Sequence, residues 1–341
     1  MAGSGLFADT DTGVFELYEE IKLNKTEVST RTEGIKLVPN LTFIRGYATA
    51  LGINTWQLAW ALTSNSPLID TYQVFFGWSD AEVRFWNSFM NSLMMVGMII
   101  GSLIAGNIIS KGRRRAAILL NSITIMASIL TMFKSIPLIC IGRFFMGITS
   151  VIFGIIFGKC ISETLPADFQ AHYGMLTNLF INFGFMSSFI FSTMLPTEPA
   201  EMEKDENWKL FSALPAITGV VCIMLFSLIF TEEPVDFCIA NGREEEARRI
   251  LQRVYRIESK GDVDEIDADT KDELFENQVT FRRSTTSMDT SKATFCKAVF
   301  GRKYRRASIV CFIINVFNQY TGITPAVVYA GRLVKKFNED S

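Results

Sequence analysis

The chain has 341 residues, 49% hydrophobic and 20% charged, with a formal net charge of −2, so no basic excess points to nucleic acid. Six cysteines without a CxxC pair and a single histidine, His172, indicate neither a disulfide framework nor a zinc site, and no cofactor is expected. Residues 46–69, 85–110, 116–133, 173–197, 210–231 and 307–331 carry no charge and 135–158 carries only Arg143, which excludes an ordinary soluble domain. Uncharged apolar runs of about 18 or more residues can cross a bilayer as helices. They are too long and too uniform for the alternating strands of a membrane barrel. The expected fold class is all-α, a multi-pass membrane helix bundle.

In chain order, residues 1–40 form an acidic tail without an apolar core, neither a secretory signal nor a basic transit peptide. The first apolar block must itself target the membrane. It carries Trp56 and Trp60 one turn apart, which read as a lipid-facing or interfacial belt in preference to the aromatic walls of a site. The second and third blocks are joined by Lys111-Gly112-Arg113-Arg114-Arg115, and this basic loop predicts the cytoplasmic or matrix side. The N-terminal tail and residues 232–306 fall on that side too.

In the fourth block Arg143 lies about 10 Å deep at 1.5 Å per residue. A charge inside a span is a functional candidate by default, with snorkelling to the interface as the alternative. The fifth block carries Asn178 and Asn182, amides suited to hydrogen bonds between helices. The sixth block completes a six-span bundle over 41–231. Residues 232–306 read as a linker with one amphipathic helix, its apolar stripe formed by Ala247, Ile250, Leu251 and Val254. The acidic run after it fails as a calcium loop, and 282–287 read as flexible polar linker or as a target for a basic-directed kinase. Residues 307–341 supply a seventh span and a short tail.

Several motifs then occur in order. Gly101 and Gly106 lead into Ser110-Lys111-Gly112-Arg113-Arg114-Arg115; Gly142-Arg143-Phe144-Phe145-Met146-Gly147 is followed by Glu163 and Pro166. Trp208-Lys209 precedes Pro215-Ala216, and Thr231-Glu232-Glu233-Pro234 precedes Gly242-Arg243-Glu244-Glu245-Glu246-Ala247. Asn318-Gln319-Tyr320-Thr321-Gly322 comes last, with Tyr329. Together they resemble the sugar porter family of the major facilitator superfamily, over its N-terminal six-helix half plus the seventh helix.

The resemblance implies a transporter, not an enzyme: two six-helix halves around a mid-membrane site that opens to each side in turn. By motif position, Asn178, Asn318, Gln319, Thr324 and Tyr329 are the candidate solute contacts. Lys111, Arg113, Arg114, Arg115, Arg143, Glu163 and Glu232 are the candidate gating groups, with Glu163 expected to pair with the basic cluster. Ser110 stands where the family has Asp, and Val235 where it has Arg. Proton-coupled relatives carry an Asp in a Gly-Tyr-Asp context on the first span; here the sequence is Gly46-Tyr47-Ala48, so transport is expected to be independent of protons. The expected partners are a small polar solute, with a hexose among the candidates, the lipid bilayer, and another membrane chain covering the polar inner face: a second copy, a C-terminal half or a complex subunit. The alternative function is a transport-inactive homologue serving as a structural subunit. The expected location is the plasma membrane or an endomembrane, with the mitochondrial inner membrane as the alternative.

Overall fold

The computed structural model describes residues 35–196, 199–259, 268–289 and 305–320. Helix α1 (Leu41–Thr63) starts five residues before the apolar block it contains, because the Asn40 side chain accepts from the Phe43 N–H and caps it. It bends at Ser64 and continues as α2 (Asn65–Phe76). Pro67 has no N–H for the Thr63 carbonyl, which accounts for the bend. Helix α3 (Asp80–Ile109) opens on a capping box between Ser79 and Glu82. Then follow α4 (Arg113–Thr131), α5 (Ile136–Thr164), α6 (Ala167–Gly174), α7 (Leu176–Ser192), the single turn α8 (Pro199–Met202) and α9 (Asn207–Met224). Helix α9 widens into a π turn over Leu225–Ile229.

Among the described residues, four helices are long and apolar enough to cross a membrane: Asp80–Ile109, Ile136–Thr164, Ala167–Ser192 and Asn207–Ile229. Helices α1 and α4 are not among them. Helix α1 buries Asn54, Thr55 and Gln57, and α4 opens on three arginines. The polar side chains of α1 are tolerated because they face other helices and not lipid, and the arginines of α4 lie at its basic-loop end. Helix α5 packs between α3 and α4; α1 packs on α5, α7 and α9; and α9 closes against α4. The α3–α5 crossing is close because a Cβ on Gly101 would lie 2.6 Å from the Ile148 carbonyl, and one on Gly147 would strike the Met94 carbonyl. Gly106, the other glycine of the first motif, faces open space.

The bundle has two unlike ends. Toward the basic loop, Tyr47, Phe153, Phe157, Cys160, Phe226 and Phe230 form one buried cluster. At the opposite end all 5 tryptophans gather: Trp56, Trp60, Trp78 and Trp208 are buried together and Trp86 packs against them. Trp56 and Trp60 are only 7% and 1% exposed and their rings stack at 5.0 Å. The lipid-facing reading of this pair is therefore wrong. Their indoles fill the α1–α7 contact, where Trp56 Nε1 donates to Ser187 Oγ at 2.8 Å and Gly184 lets the backbones approach.

Residues 232–259 and 268–289 hold more structure than a linker. Helix α10 (Val235–Ala240) precedes α11 (Glu244–Val254), whose buried face is the expected Ala247, Ile250, Leu251 and Val254. Helix α12 (Ala268–Asp289) docks Phe275 and Val279 into the same cluster, so 282–287 are helical and not flexible linker. Strand β1 (Ile35–Pro39) pairs antiparallel with β2 (Tyr255–Ser259), Ile35 opposite Ser259 and Pro39 opposite Tyr255. Helix α13 (Arg305–Tyr320) leaves Phe312, Phe317 and Tyr320 exposed.

Candidate functional site

The basic loop and the end of α5 are joined by an ionic layer. Arg113 grips Glu163 with two bonds, Nε to Oε2 at 2.8 Å and Nη2 to Oε1 at 2.7 Å. The fork geometry of guanidinium and carboxylate makes this one of the stronger pairings available to side chains. The same guanidinium stacks 4.4 Å over the Phe237 ring of α10. The expected pairing of Glu163 with the basic cluster is thus made through Arg113. Glu232 pairs with Arg253 of α11 at 2.6 Å. The Lys111 and Arg115 side chains are exposed.

Arg114 is placed by backbone geometry. In the π turn the Phe230 N–H donates five residues back, to the Leu225 carbonyl at 2.9 Å. That frees the Phe226 carbonyl, which accepts from Arg114 Nε at 2.6 Å. Beside it Glu233, 6% exposed, accepts from the Arg114 and Arg115 backbone N–H groups at 2.9 and 3.2 Å. A carboxylate there caps α4 and meets the positive end of its dipole. Gly112 makes room for it: its φ is +134°, and a Cβ would lie 2.6 Å from Glu233 Oε1.

Arg282 of α12 ties this layer down. It donates to Asp236 Oδ1 and to the Glu163 carbonyl, both at 3.1 Å. Burial pushes the Asp236 carboxyl above the usual carboxylate range; Arg282 opposes that shift and the charge of Glu163 adds to it. A carboxyl raised in the folded state binds its proton more tightly there than in the unfolded chain. The resulting penalty is present above the folded pKa and disappears as pH falls below the ordinary value.

Among the described residues the bundle interior buries one cation, Arg143, and several amides beside serine and threonine hydroxyls. Arg143 is 4% exposed and does not snorkel. Its Nη1 donates to the Ala61 carbonyl at 2.8 Å and to Ser64 Oγ at 3.0 Å, and its Nη2 to Asn91 Oδ1 at 3.2 Å. All these partners are neutral. Asn87 links Asn91 to Asn65, accepting from them at 3.2 and 2.8 Å. Nearer the ionic layer, Gln57 Nε2 donates to Asn121 Oδ1 at 3.1 Å and Asn121 Nδ2 to Asn54 Oδ1 at 2.8 Å.

Of the five candidate solute contacts, only Asn178 has a described side chain. It is exposed on α7, and Asn182 donates back to its carbonyl at 2.9 Å instead of reaching another helix. Asn318 and Gln319 fall in the last turn of α13, and their side chains lie outside the described residues, as do Thr324 and Tyr329 altogether. The sequence reading missed Glu233, Arg282 and the amides Asn54, Gln57, Asn87, Asn91 and Asn121. Amides within uncharged blocks were the available signal for the last five.

The family model described as "Sugar (and other) transporter" matches residues 43–339. The chain is 24% identical over 306 residues to "Hexose transporter 1" of Plasmodium knowlesi, covering 85% of this chain and 59% of that protein. It is 27% identical over 247 residues to "Probable inositol transporter 2" of Arabidopsis thaliana, covering 72% and 40%. The chain spans about half the length of the curated relatives it matches. In fold it is similar to the partially occluded, inward open xylose transporter XylE from E. coli, with a TM-score of 0.68 at 14% identity over 86% of this chain and 67% of that one. The match across nearly the whole chain, on a fold shared with a major facilitator transporter, places this protein in the sugar (and other) transporter family.

Proposed function

We propose that the chain takes part in facilitative transport of a small polyhydroxylated solute of the hexose or polyol class, by alternating access and without coupling to protons. The basic loop lies on the cytoplasmic side in this reading, and the Arg113–Glu163 pair is a latch that holds that side closed and breaks when it opens. The observation that carries the proposal is Arg143. It is buried and hydrogen-bonded only to neutral groups, so no carboxylate beside it can load and release a proton. Purified chain in proteoliposomes should equilibrate labelled glucose or inositol at the same level with and without an imposed pH gradient. Accumulation driven by the gradient would overturn the reading.

A second reading is favoured by the exposed amides of α7. Asn178 and Asn182 sit on an otherwise apolar helix, and polar groups facing lipid are costly. They are covered, in this reading, by another bundle of membrane helices, supplied by a second copy or by a complementary half. The mass of the particle in mild detergent tests it: a monodisperse monomer active in transport would rule it out.

A further inference from the structure

Among the described residues, the partners of Arg143 leave its charge without a counterion and its Nε without a hydrogen bond. Ser212 Oγ on α9 is likewise buried and unpartnered; the residue engages its neighbour only through its carbonyl, which accepts from Ser128 Oγ at 2.5 Å. Both residues line one small cavity of about 20 Å³, together with Ser64, Asn65, Tyr72 and apolar walls such as Trp60, with no carboxylate in its lining. An uncompensated guanidinium in a medium of low dielectric is unfavourable unless an opposite charge or solvent reaches it. A space of this size holds a single small sphere: a water molecule, or a somewhat larger monatomic ion after small movements of the lining side chains. It is too small for phosphate, sulfate or a carboxylic acid. A water would satisfy the two donors and leave the charge; a monatomic anion does both.

We propose that this cavity binds one halide ion, chloride in the cell, as the counterion of Arg143. The Arg143 Nε–H and the Ser212 hydroxyl donate to it from two different helices, so the ion ties α5 to α9. The proposal concerns binding and stability, and it stands whether or not the chain transports a sugar.

The test is thermal unfolding of the purified chain in detergent, with chloride exchanged for gluconate at constant ionic strength. The midpoint should rise with the logarithm of chloride above the half-saturating concentration, by about 2 °C at ten times that concentration, and bromide should substitute. Ser212→Ala should weaken the half-saturating concentration roughly three- to tenfold, as expected for one lost hydrogen bond. Arg143→Gln should abolish the response. If that variant does not fold, Ser212→Ala and the anomalous scattering of bromide at the cavity decide instead. Equal midpoints in chloride and gluconate, an unchanged chloride response in Ser212→Ala, or a bromide-soaked crystal with no anomalous peak there would each overturn the proposal.

Discussion

The two ends of the bundle are held by different forces. At the basic-loop end, α4, α5, α10 and α12 meet through the buried Glu233 and through Arg113–Glu163 and Arg282–Asp236, two pairs that are partly reached by water. At the other end, α1, α2, α3, α7 and α9 meet through stacked and edge-on rings, with Trp60 5.9 Å from Phe191 and 4.8 Å from Phe211, and Trp208 5.2 Å from Phe75. Ion pairs near water exchange one set of partners for another at little net change in free energy. Buried aromatic area does not, because opening it exposes the whole face. A charged end can therefore act as a latch while an aromatic end acts as a hinge block, and α5 runs from one to the other, from Ile139 to Glu163.

The contrast predicts a ranked set of effects. Trp60→Ala should cost most, about 3–5 kcal/mol, since it removes one of the two most buried indoles of the cluster. Unfolding followed by circular dichroism should show the same loss at low and at high salt; a loss under ~1 kcal/mol would mean that the aromatic end is not the rigid one. Glu163→Gln should cost about 1–3 kcal/mol by weakening a charge-assisted pair. Because Cys160 lies buried one turn away, that variant should also speed maleimide labelling of Cys160, and unchanged labelling would show that the pair does not hold the end closed. The smallest effect belongs to Arg248, whose bonds to Asp272 and Glu276 are solvent-exposed. Arg248→Ala should change stability by no more than about 0.5 kcal/mol, and raised salt should erase even that.

The distinction between the ends was half visible in the sequence. Charge-free blocks located the helices, and four basic residues in a five-residue loop located the ionic layer together with its Glu163 partner. The aromatic end was misread. In a bilayer an indole is as soluble among lipid tails as among helices, so the one-turn spacing of Trp56 and Trp60 does not say which way they face. Arg114 was read only as one gating group of the basic cluster and Glu233 was missed, because their contacts depend on a π turn and a glycine with positive φ, which are settled by packing and not by composition. The β1–β2 pairing was invisible for another reason. Neither strand has an alternating pattern long enough to announce itself, and each exists only because the other lies beside it.

That pairing also bears on how the molecule is made. The partner of Ile35 is Ser259, so the first strand to leave the ribosome has nothing to bond until more than two hundred further residues have been synthesised. At about 5–20 residues per second, that is a wait of roughly 10–45 s. During this interval the six helices of the bundle enter the membrane with the segment ahead of α1 untied. The ladder closes only after all six have been synthesised, when Asn40 can also donate from its backbone and its side chain to the carbonyls of Val254 and Arg253. Its formation is thus a mark that the helices between the two strands have all been made.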